Sequence, residues 1–530
     1  MKQLTFRFFL AIGALFILSQ GCKKDKADLS VKGITLSKTT TTLKPGGTET
    51  LAFTIFPDNA DNQSVSWKSS DETIATVNSS GVVTAIKPGS STITVTTQEG
   101  SETATCSVTV TQNDALTVSG DVDGVWAKYS VINVNGHIRI PAGKTLKIEE
   151  GVEVDISTGG QDANSTKIEW IVDGNLYIQG TADAPVLVTV PTAERTAANT
   201  FKRLWGGIIG SSTCAEILVD HAIIEYTGAV TTATSPSVTA GLFKAGGGEG
   251  MVAFNTNNPN GKYIVQNSIF RNTGEDAIYV QGGSCIFTNN KFYAVGEAGG
   301  EAINVKAGCK VDAAYNLMYS ANTNAFKLSN SGASATRPQA QITAYNNTII
   351  NTGWRRDPNA PKGGSIWGEK GALIFVYNNL VINAMFRAKA PGWGVNATDG
   401  PDLASEIDYN YYASGPQTST VPQHITNGTI TGYDGFKPAV KDAVYGPYDI
   451  SGTAAGDKDP MFVSFPFATN DLLSYTFDNS WDFHLKSGSP ALTGAKTDVA
   501  PYFISTGVTV NGTTYKSPAP SAFFGAFGSN

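Results

Sequence analysis

Carboxylate side chains recur at matching positions in the second half of the chain. Asp276 and Glu301 each come directly before a short apolar strand, Ala277-Ile-Tyr-Val280 and Ala302-Ile-Asn-Val305. If these strands stack, the two carboxylates lie about 5 Å apart and repel each other unless one is protonated or a cation bridges them. Because Ca²⁺ binds oxygen ligands, one hypothesis is a Ca²⁺ site here; the other is a pair of solvated turn residues.

The strands that follow these positions share one pattern. Their second residue is apolar and should point into a core, so the third should point outward. The third residues would then form an exposed stripe of aromatic rings, amides and amines: Tyr279, Asn304, Lys327, Trp367 and Lys389. Aromatic rings interleaved with amines are suited to binding a polysaccharide.

Two long turns should flank this stripe, Thr352 to Gly364 and Pro391 to Gly400. Flat aromatic rings stack on sugar faces, and guanidinium groups pair with the carboxylates of acidic glycans. We therefore expect a groove walled by loop residues, and the alternative is that these residues pack on their own coil. The glycan-binding candidates are Tyr279, Trp354, Arg356, Trp367 and Trp393.

The same groove is compatible with catalysis by β-elimination on an acidic glycan. A lyase needs a base that removes the proton beside a uronate, and a cation that neutralises the uronate charge. Lys327, Arg355 and Lys389 are the candidates for these roles, although nothing in the sequence fixes their geometry. A binding function is therefore favoured over an enzymatic one.

A repeat organises the elements that must position these residues. Its asparagines, Asn267, Asn290, Asn316, Asn347, Asn379 and Asn410, lie 23, 26, 31, 32 and 31 residues apart, and each begins a short apolar run. A fixed asparagine with variable gaps indicates stacked coils that differ only in their turns. Asparagines stacked at a bend can form hydrogen bonds between their side-chain amides along the axis. We therefore interpret this row of asparagines, which we call the asparagine ladder, as structural.

Segments before and after this repeat resemble those of right-handed parallel β-helix proteins of the pectate-lyase-like superfamily. The opening segments are Leu146-Lys-Ile-Glu-Glu-Gly-Val-Glu-Val154 and Val172-Asp-Gly-Asn-Leu-Tyr-Ile-Gln-Gly-Thr181, and the closing segments are Asp459-Pro-Met-Phe462 and Trp481 to Leu492. The resemblance implies a β-helix over residues 115–530, with His484 as a structural residue of the closing segment. The paired aspartates of polygalacturonase-like hydrolases and the full calcium and arginine pattern of pectate lyases are not found.

The preceding segment alternates apolar and polar residues in short runs separated by turns, which predicts a β-sandwich. Val65-Ser-Trp67-Lys-Ser-Ser70, Ile74-Ala-Thr-Val77 and Gly81-Val-Val-Thr-Ala85 resemble the group 2 bacterial immunoglobulin-like domain of adhesins. That resemblance implies a spacer or adhesion module over residues 31–112. The predicted fold is therefore all-β: a small immunoglobulin-like sandwich followed by a right-handed parallel β-helix.

The N-terminus has the features of an export signal. Lys2 and Arg7 flank an apolar run that is too short for a permanent membrane helix. Residues 18–22, Leu-Ser-Gln-Gly-Cys, resemble the bacterial lipobox, which implies a signal peptide over 1–21, a lipid on Cys22 and a flexible tether over 22–30. We expect an outer-membrane lipoprotein exposed at the cell surface, with a periplasm-facing location as the alternative.

The net charge and the positions of the cysteines limit the binding partners and the disulfide bonds that we expect. With 38 basic and 45 acidic residues the formal charge is −7, and no basic run beyond the tether provides a surface for nucleic acid. Cys285 and Cys309 lie in successive coils, but our alignment offsets them by one position, onto opposite faces. We expect a monomer that binds a polysaccharide or a cell-surface glycan, with Ca²⁺ as a conceivable cofactor; a structural or protein-binding role remains a third alternative.

Overall fold

The computed structural model describes residues 29–529, apart from 247–249, 298, 357–364, 386–387, 390–399, 417–424, 427–428, 431–445 and 452–455. Two compact units divide between Thr111 and Gln112. In the described part of the chain, no helix combines the length and apolar character needed to cross a membrane. Cys22, Trp393 and the side chain of Lys389 lie outside the described residues.

The first unit is a β-sandwich in which apolar residues alternate with exposed ones. Its strands are Gly33–Leu36, Thr40–Leu43, Thr48–Thr50, Phe53–Phe56, Val65–Ser69, Ala75–Val77, Val82–Ala85, Gly89–Thr97 and Thr103–Val110. Ile93, Cys106 and Val108 are fully buried between the sheets, and Trp67 packs partly buried against the same cluster. Trp67 therefore contributes to the core of the sandwich.

The second unit is a parallel β-helix whose coils each contribute strands to three sheets. Sheet 1 contains Gly124–Trp126, Thr145–Ile148, Asn175–Gln179, Glu216–Asp220, Lys262–Gln266, Gly283–Thr288, Cys309–Ala314, Gln341–Tyr345, Leu373–Tyr377 and Glu406–Ile407. Sheet 2 contains Leu116–Asp121, the first half of Val131–Ile140, Glu153–Ile156, Val186–Thr189, Ala222–Glu225, Ile269–Thr273, Lys291–Val295, Leu317–Ala321, Thr348–Ile350, Leu380–Ile382, Tyr411–Ala413 and Ile450–Ser451. Sheet 3 contains the second half of Val131–Ile140, then Trp170–Val172, Ile208–Gly210, Phe254–Thr256, Ile278–Val280, Ile303–Val305, Phe326–Ser329, Ile366–Glu369 and Ala388–Lys389. The all-β prediction and the parallel β-helix are confirmed.

An apolar column fills the space between the three sheets. Trp126, Trp170 and Trp205 follow one another through the first coils, edge to face at 5.8 Å and tilted at 6.1 Å between ring centroids. Cys285 and Cys309 both lie in this column as free thiols. The predicted offset of one position is wrong: Cys309 pairs with Gly283, so the two cysteines are offset by two positions and face the same side.

The asparagine ladder forms at the bend between sheets 1 and 2. Asn290, Asn316, Asn347, Asn379 and Asn410 are fully buried, and the side-chain amide of each of the first four donates to the side-chain oxygen of the next, at 2.9 to 3.0 Å. The assignment of Asn267 to this ladder is wrong, because Ser268 pairs with the ladder position and donates its backbone N–H to Asn290. Asn267 instead belongs to the neighbouring row of left-handed residues, with φ +52°. Short polar side chains tolerate that conformation better than most.

The C-terminal segment runs back over the outside of the helix. It contains the strands Phe462–Ser464, Asp482–Leu485, Val508–Val510 and Thr513–Tyr515. Its aromatic rings cover the outward face of sheet 2, where Phe477 stacks on Tyr293 at 4.7 Å, while Phe503, Val508 and Val510 cover sheet 1. Short helices at Thr192–Glu194, Ala197–Asn199, Pro236–Thr239 and Pro490–Leu492 and the hairpin Ile425–Thr426 with Thr429–Ile430 complete the described elements.

Candidate functional site

Polar side chains line the outward face of sheet 3 in three parallel rows, which we call the polar face. Strand pairing aligns Tyr279, Asn304, Lys327, Trp367 and Lys389 in one row, in the predicted order. The same register aligns Asp276, Glu301 and Asn324 before the strands, and Gln281, Lys306, Ser329 and Glu369 after them. Contrary to the predicted exposed stripe, Asn304 is only 3% exposed, and Tyr279, Lys327 and Trp367 are half-buried.

Asp276 and Glu301 form a buried hydrogen-bonded pair. Asp276 Oδ1 accepts the backbone N–H groups of Gly300 and Glu301, at 3.1 and 2.8 Å. Burial, and then the neighbouring Glu301 charge, raise the pKa of Asp276 well above its usual value. Burial opposes ionisation of Glu301 as well, but the hydrogen bond from Asp276 and the nearby Lys327 and Lys306 lower its pKa. Of the two carboxyl groups, Asp276 therefore keeps its proton to higher pH, and Glu301 ionises first.

Hydrogen bonds already satisfy this carboxylate pair. Asn304 Nδ2 donates to Asp276 Oδ2 at 2.8 Å, and Asn324 Nδ2 lies 3.3 Å from Glu301 Oε1. In the described part of the chain, no three His, Cys, Asp or Glu side chains are arranged to hold a metal ion. The geometry therefore favours a shared proton over the hypothesised Ca²⁺ at Asp276 and Glu301.

Two lysines lie beside the carboxylate pair. Lys327 Nζ is 3.9 Å from Glu301 Oε1. Lys306 is 8% exposed, and its Nζ lies 5.3 Å from the centroid of the Tyr279 ring, within reach of a cation–π interaction. Burial, and then repulsion from Lys327, lower the pKa of Lys306 to about 8. At that pKa the charged ammonium form of Lys306 still predominates near physiological pH, and a minority of the side chain is a neutral amine able to accept a proton.

Asn304 lies at the centre of the polar face. Its Nδ2 is used by Asp276, whereas its Oδ1 is buried and has no hydrogen-bond partner among the described residues. An unpaired buried acceptor costs roughly 1–3 kcal/mol. A ligand hydroxyl that donates to Asn304 Oδ1 would recover that cost.

A cavity of about 450 Å³ opens beside these residues. Glu275, Asp276, Tyr279 and Gln281 line it from the coil, and residues 241–244 line it from the loop after the short helix Pro236–Thr239. Arg203 holds Glu275 through a 2.5 Å ion pair, and burial is the main reason that the pKa of Glu275 is raised. The polar face therefore has an adjoining cavity large enough for a sugar-sized ligand.

Arg355 has a different location from the one predicted. Its guanidinium donates to the carbonyl oxygens of Val295, Gly296 and Ser320 and to Ser320 Oγ, at 2.8 to 3.0 Å, and lies 4.9 Å from the Phe201 ring centroid. These partners lie where sheet 2 strands end, under the C-terminal segment. The arrangement assigns Arg355 to holding coils together, not to the groove.

We expect Arg355→Met to lower the free energy of unfolding by about 2 kcal/mol, because it removes the four hydrogen bonds of the guanidinium group, and of its carbonyl partners Val295 keeps another donor, the Asn322 backbone N–H. Urea unfolding followed by tryptophan fluorescence measures this loss, with Lys202→Met, an exposed cation in a nearby loop, as the control. Glycan retention per folded molecule should stay unchanged. Loss of retention by a stable Arg355→Met protein would instead restore the predicted role in the groove.

Of the remaining predicted glycan-binding residues, some lie on the polar face and others lie outside it. Trp367 is half-buried in the middle row and donates from Nε1 to Glu369 at 2.8 Å. Trp354 donates from Nε1 to the Asn383 carbonyl and packs on Met385, so it is fixed within its own coil. Arg356 is half-buried. The structure thus brings together Tyr279, Lys327 and Trp367, and leaves Trp354 and Arg355 outside.

Sequence reasoning did not identify Lys306 as a site residue. Lys306 directly follows the strand Ile303–Val305, and extending the alternation by one more residue places it on the same face as Asn304. The same extension finds Gln281 and Glu369 in neighbouring coils. Extending the alternation of inward and outward residues beyond each apolar strand would therefore have identified the row that contains Gln281, Lys306 and Glu369.

The shared proton predicts how stability depends on pH. An unfolded chain releases the Asp276 proton above about pH 4, whereas the folded protein keeps it. Because the native state then binds more protons, stability falls as the pH rises through this window. Asp276→Asn removes the titrating proton but can still donate to Glu301, so its thermal midpoint relative to wild type should rise as the pH increases above about 4. A difference independent of pH would contradict the shared proton.

Comparison with known proteins identifies the first unit. Residues 30–108 match the bacterial Ig-like domain (group 2), which confirms the predicted family of that segment. An uncharacterized protein of Clostridium acetobutylicum is 45% identical over 80 residues, which are 15% of this chain and 8% of that protein. An alpha-L-arabinofuranosidase of Bifidobacterium longum is 35% identical over 99 residues (18% and 8%), and a lacto-N-biosidase of Bifidobacterium bifidum is 39% identical over 88 residues (17% and 8%). These alignments cover less than a tenth of each relative and are too short to span the β-helix.

Proposed function

We propose that the β-helix binds a glycan along its polar face. The observation that carries the proposal is the central Asn304, which is buried, faces outward from sheet 3 and has an acceptor oxygen with no partner among the described residues. Around it lie the Tyr279 ring, two amines and a carboxylate pair. Flat rings beside hydroxyl-binding groups form a surface suited to sugars.

Similarity to proteins that act on glycans supports a carbohydrate-related role. Two relatives of short segments of the chain have names that denote enzymes acting on glycans. The likeness does not extend to their full length, so it supports a carbohydrate-related surface protein and does not select a substrate. The ligand class comes from the polar face, where Lys306 and Lys327 favour a glycan that carries carboxylates.

The same proposal includes the location of the protein. A lipid on Cys22, a tether over 22–30 and the immunoglobulin-like domain as a spacer would hold the β-helix away from an outer membrane, at the cell surface. Radiolabelled palmitate incorporation that Cys22→Ser abolishes, together with protease accessibility on intact cells, tests this arrangement. Labelled protein that proteases reach only after cell lysis would support the periplasm-facing alternative.

Affinity electrophoresis through acidic and neutral polysaccharides tests glycan binding. The chain from Lys23 onward keeps every described residue and should be retarded by at least one acidic polysaccharide. Lys327→Met should reduce the retardation, whereas Lys262→Met, which changes an exposed lysine of sheet 1, should not. No retardation in any polysaccharide would shift the account to a structural or protein-binding role.

The polar face also favours a second candidate function, β-elimination on a uronate-containing glycan. Lys306 as a neutral amine could take the proton beside the uronate carboxylate. The electron pair of that C–H bond forms a carbon–carbon double bond, the bond to the leaving oxygen breaks, and that oxygen takes up a proton. The step needs no oxidant and produces an unsaturated sugar.

Ultraviolet absorbance of the unsaturated product tests this second function. The lyase hypothesis expects a steady rise that Lys306→Met abolishes. In the same assay Lys327→Met should weaken substrate binding more than turnover. Retarded migration without any rise in absorbance would leave a binding protein and exclude the lyase for the glycans tested.

A further inference from the structure

A second cavity lies on a different side of the β-helix, where the C-terminal segment crosses sheet 2. Its volume is about 240 Å³. Four rings, Phe477, Trp481, Phe483 and Phe527, form its walls, and Leu317 lies at its base. We call it the aromatic pocket.

The rings offer flat faces to a small ligand. The Phe483 ring centroid lies 6.1 Å from that of Phe477 and 6.3 Å from that of Phe527, with interplanar angles of 32° and 30°. Trp481 stands at 80° to Phe483 and closes one side. Phe483 itself is only 4% exposed, so the partly buried rings of Trp481 and Phe527 are the ones that a ligand can reach, and such faces stack on the C–H face of a sugar ring.

Polar groups complete the pocket at its rim. His484 Nδ1 lies 2.6 Å from Asp482 Oδ1, and the two side chains are 40% and 32% exposed. This bond fixes the imidazole and leaves Nε2, which has no protein partner among the described residues, for a ligand. Lys291 and Asn479 are exposed beside it.

The charges at the rim select the class of ligand. Lys291 and Asp482 balance each other, so a neutral ligand rich in hydroxyl groups fits better than an anion. The volume lies below the roughly 300–1,000 Å³ typical of cavities for drug-sized molecules, which suits one sugar ring and not a chain.

We infer that the aromatic pocket binds a single neutral sugar residue, with its C–H face on the Trp481 and Phe527 rings and its hydroxyls at Asp482, His484 and Asn479. This site is additional to the polar face, because sheet 2 and not sheet 3 forms its base. A chain with both sites would hold a branched glycan at two points and gain avidity without new contacts at either site.

Saturation-transfer difference NMR tests the inference on the chain from Lys23 onward. The probes are the methyl glycosides of glucose, galactose, mannose and N-acetylglucosamine. We expect saturation transfer to at least one of them, with the ring C–H protons receiving most of it. His484→Ala and Asn479→Ala should each weaken binding about tenfold, whereas Lys486→Ala, an exposed neighbour outside the pocket, should not.

The outcomes separate this site from the polar face. Tyr279→Ala should leave the signal unchanged, since Tyr279 lies on sheet 3. No transfer to any of the four probes, or transfer that persists in both His484→Ala and Asn479→Ala, would overturn the inference. A signal that only Tyr279→Ala removes would assign the sugar to the polar face and overturn it equally.

Discussion

Asn347→Ala should destabilise the β-helix by about 4 kcal/mol. Asn347 is fully buried, and its Oδ1 accepts both the backbone N–H and the Nδ2 of Asn316. Its own Nδ2 donates to Asn379 Oδ1 and to the carbonyl oxygens of Ala313 and Tyr345. Alanine removes all of these bonds at once and leaves several buried groups without partners, each at a cost of roughly 1–3 kcal/mol.

Urea unfolding followed by tryptophan fluorescence measures this loss. Seven of the eight tryptophans lie after residue 112, so the signal reports mainly on the β-helix. The matched control is Asn260→Ala, at an exposed turn, which should change the free energy of unfolding by less than about 0.5 kcal/mol. A loss below about 1 kcal/mol for Asn347→Ala would show that the ladder contributes little to stability.

Tyr279→Ala should raise the dissociation constant of the bound glycan about 30-fold or more. The Tyr279 ring lines the cavity beside the polar face and lies under the Lys306 ammonium group. Alanine removes both the surface for a sugar ring and the cation–π partner of Lys306. Isothermal titration with an oligosaccharide selected by affinity electrophoresis gives the dissociation constants.

Two control variants show whether the change in the dissociation constant comes from the lost ring of Tyr279. Tyr279→Phe keeps the ring and should stay within about fivefold of wild type, which separates stacking from hydrogen bonding. Tyr448→Ala removes an exposed tyrosine that stacks on Tyr409, outside the polar face, and should have no effect on affinity. Equal losses in Tyr279→Ala and Tyr448→Ala would indicate a general effect on the protein and contradict the proposed site.

The repeat was predictable because one buried side chain must recur at every bend. A side-chain amide both donates and accepts, so asparagine can pair along the axis while it satisfies nearby carbonyl groups. The error at Asn267 arose where serine takes the ladder position and an asparagine stands one residue earlier in the left-handed row. Two adjacent rows of the same residue type cannot be separated by spacing alone.

The stripe on sheet 3 was predictable from alternation, because Tyr279, Asn304 and Lys327 each directly follow the apolar first residue of a strand. Their burial was not predictable. It depends on loops such as residues 241–244, whose path over the coil is set by tertiary contacts. For the same reason Arg355, which lies in a long turn, looked available in the sequence but is used by backbone carbonyl groups.

The position of Lys306 and Lys327 beside Glu301 could not be predicted from the sequence. Lys306 and Lys327 lie 21 residues apart, and only the stacking of coils brings both beside Glu301. The lowered pKa of Lys306 follows mainly from its burial, which depends on the surrounding fold. A lysine in a sequence does not reveal whether it will be a solvated charge or a base.

A crystal structure of the chain from Lys23 onward, in complex with the oligosaccharide that binds most tightly in electrophoresis, tests the central claim most directly. We expect electron density for a sugar ring over the Tyr279 ring, with a sugar hydroxyl within hydrogen-bond distance of Asn304 Oδ1 and a sugar carboxylate near Lys306 or Lys327. Density confined to another face of the β-helix, or to the immunoglobulin-like domain, would contradict it.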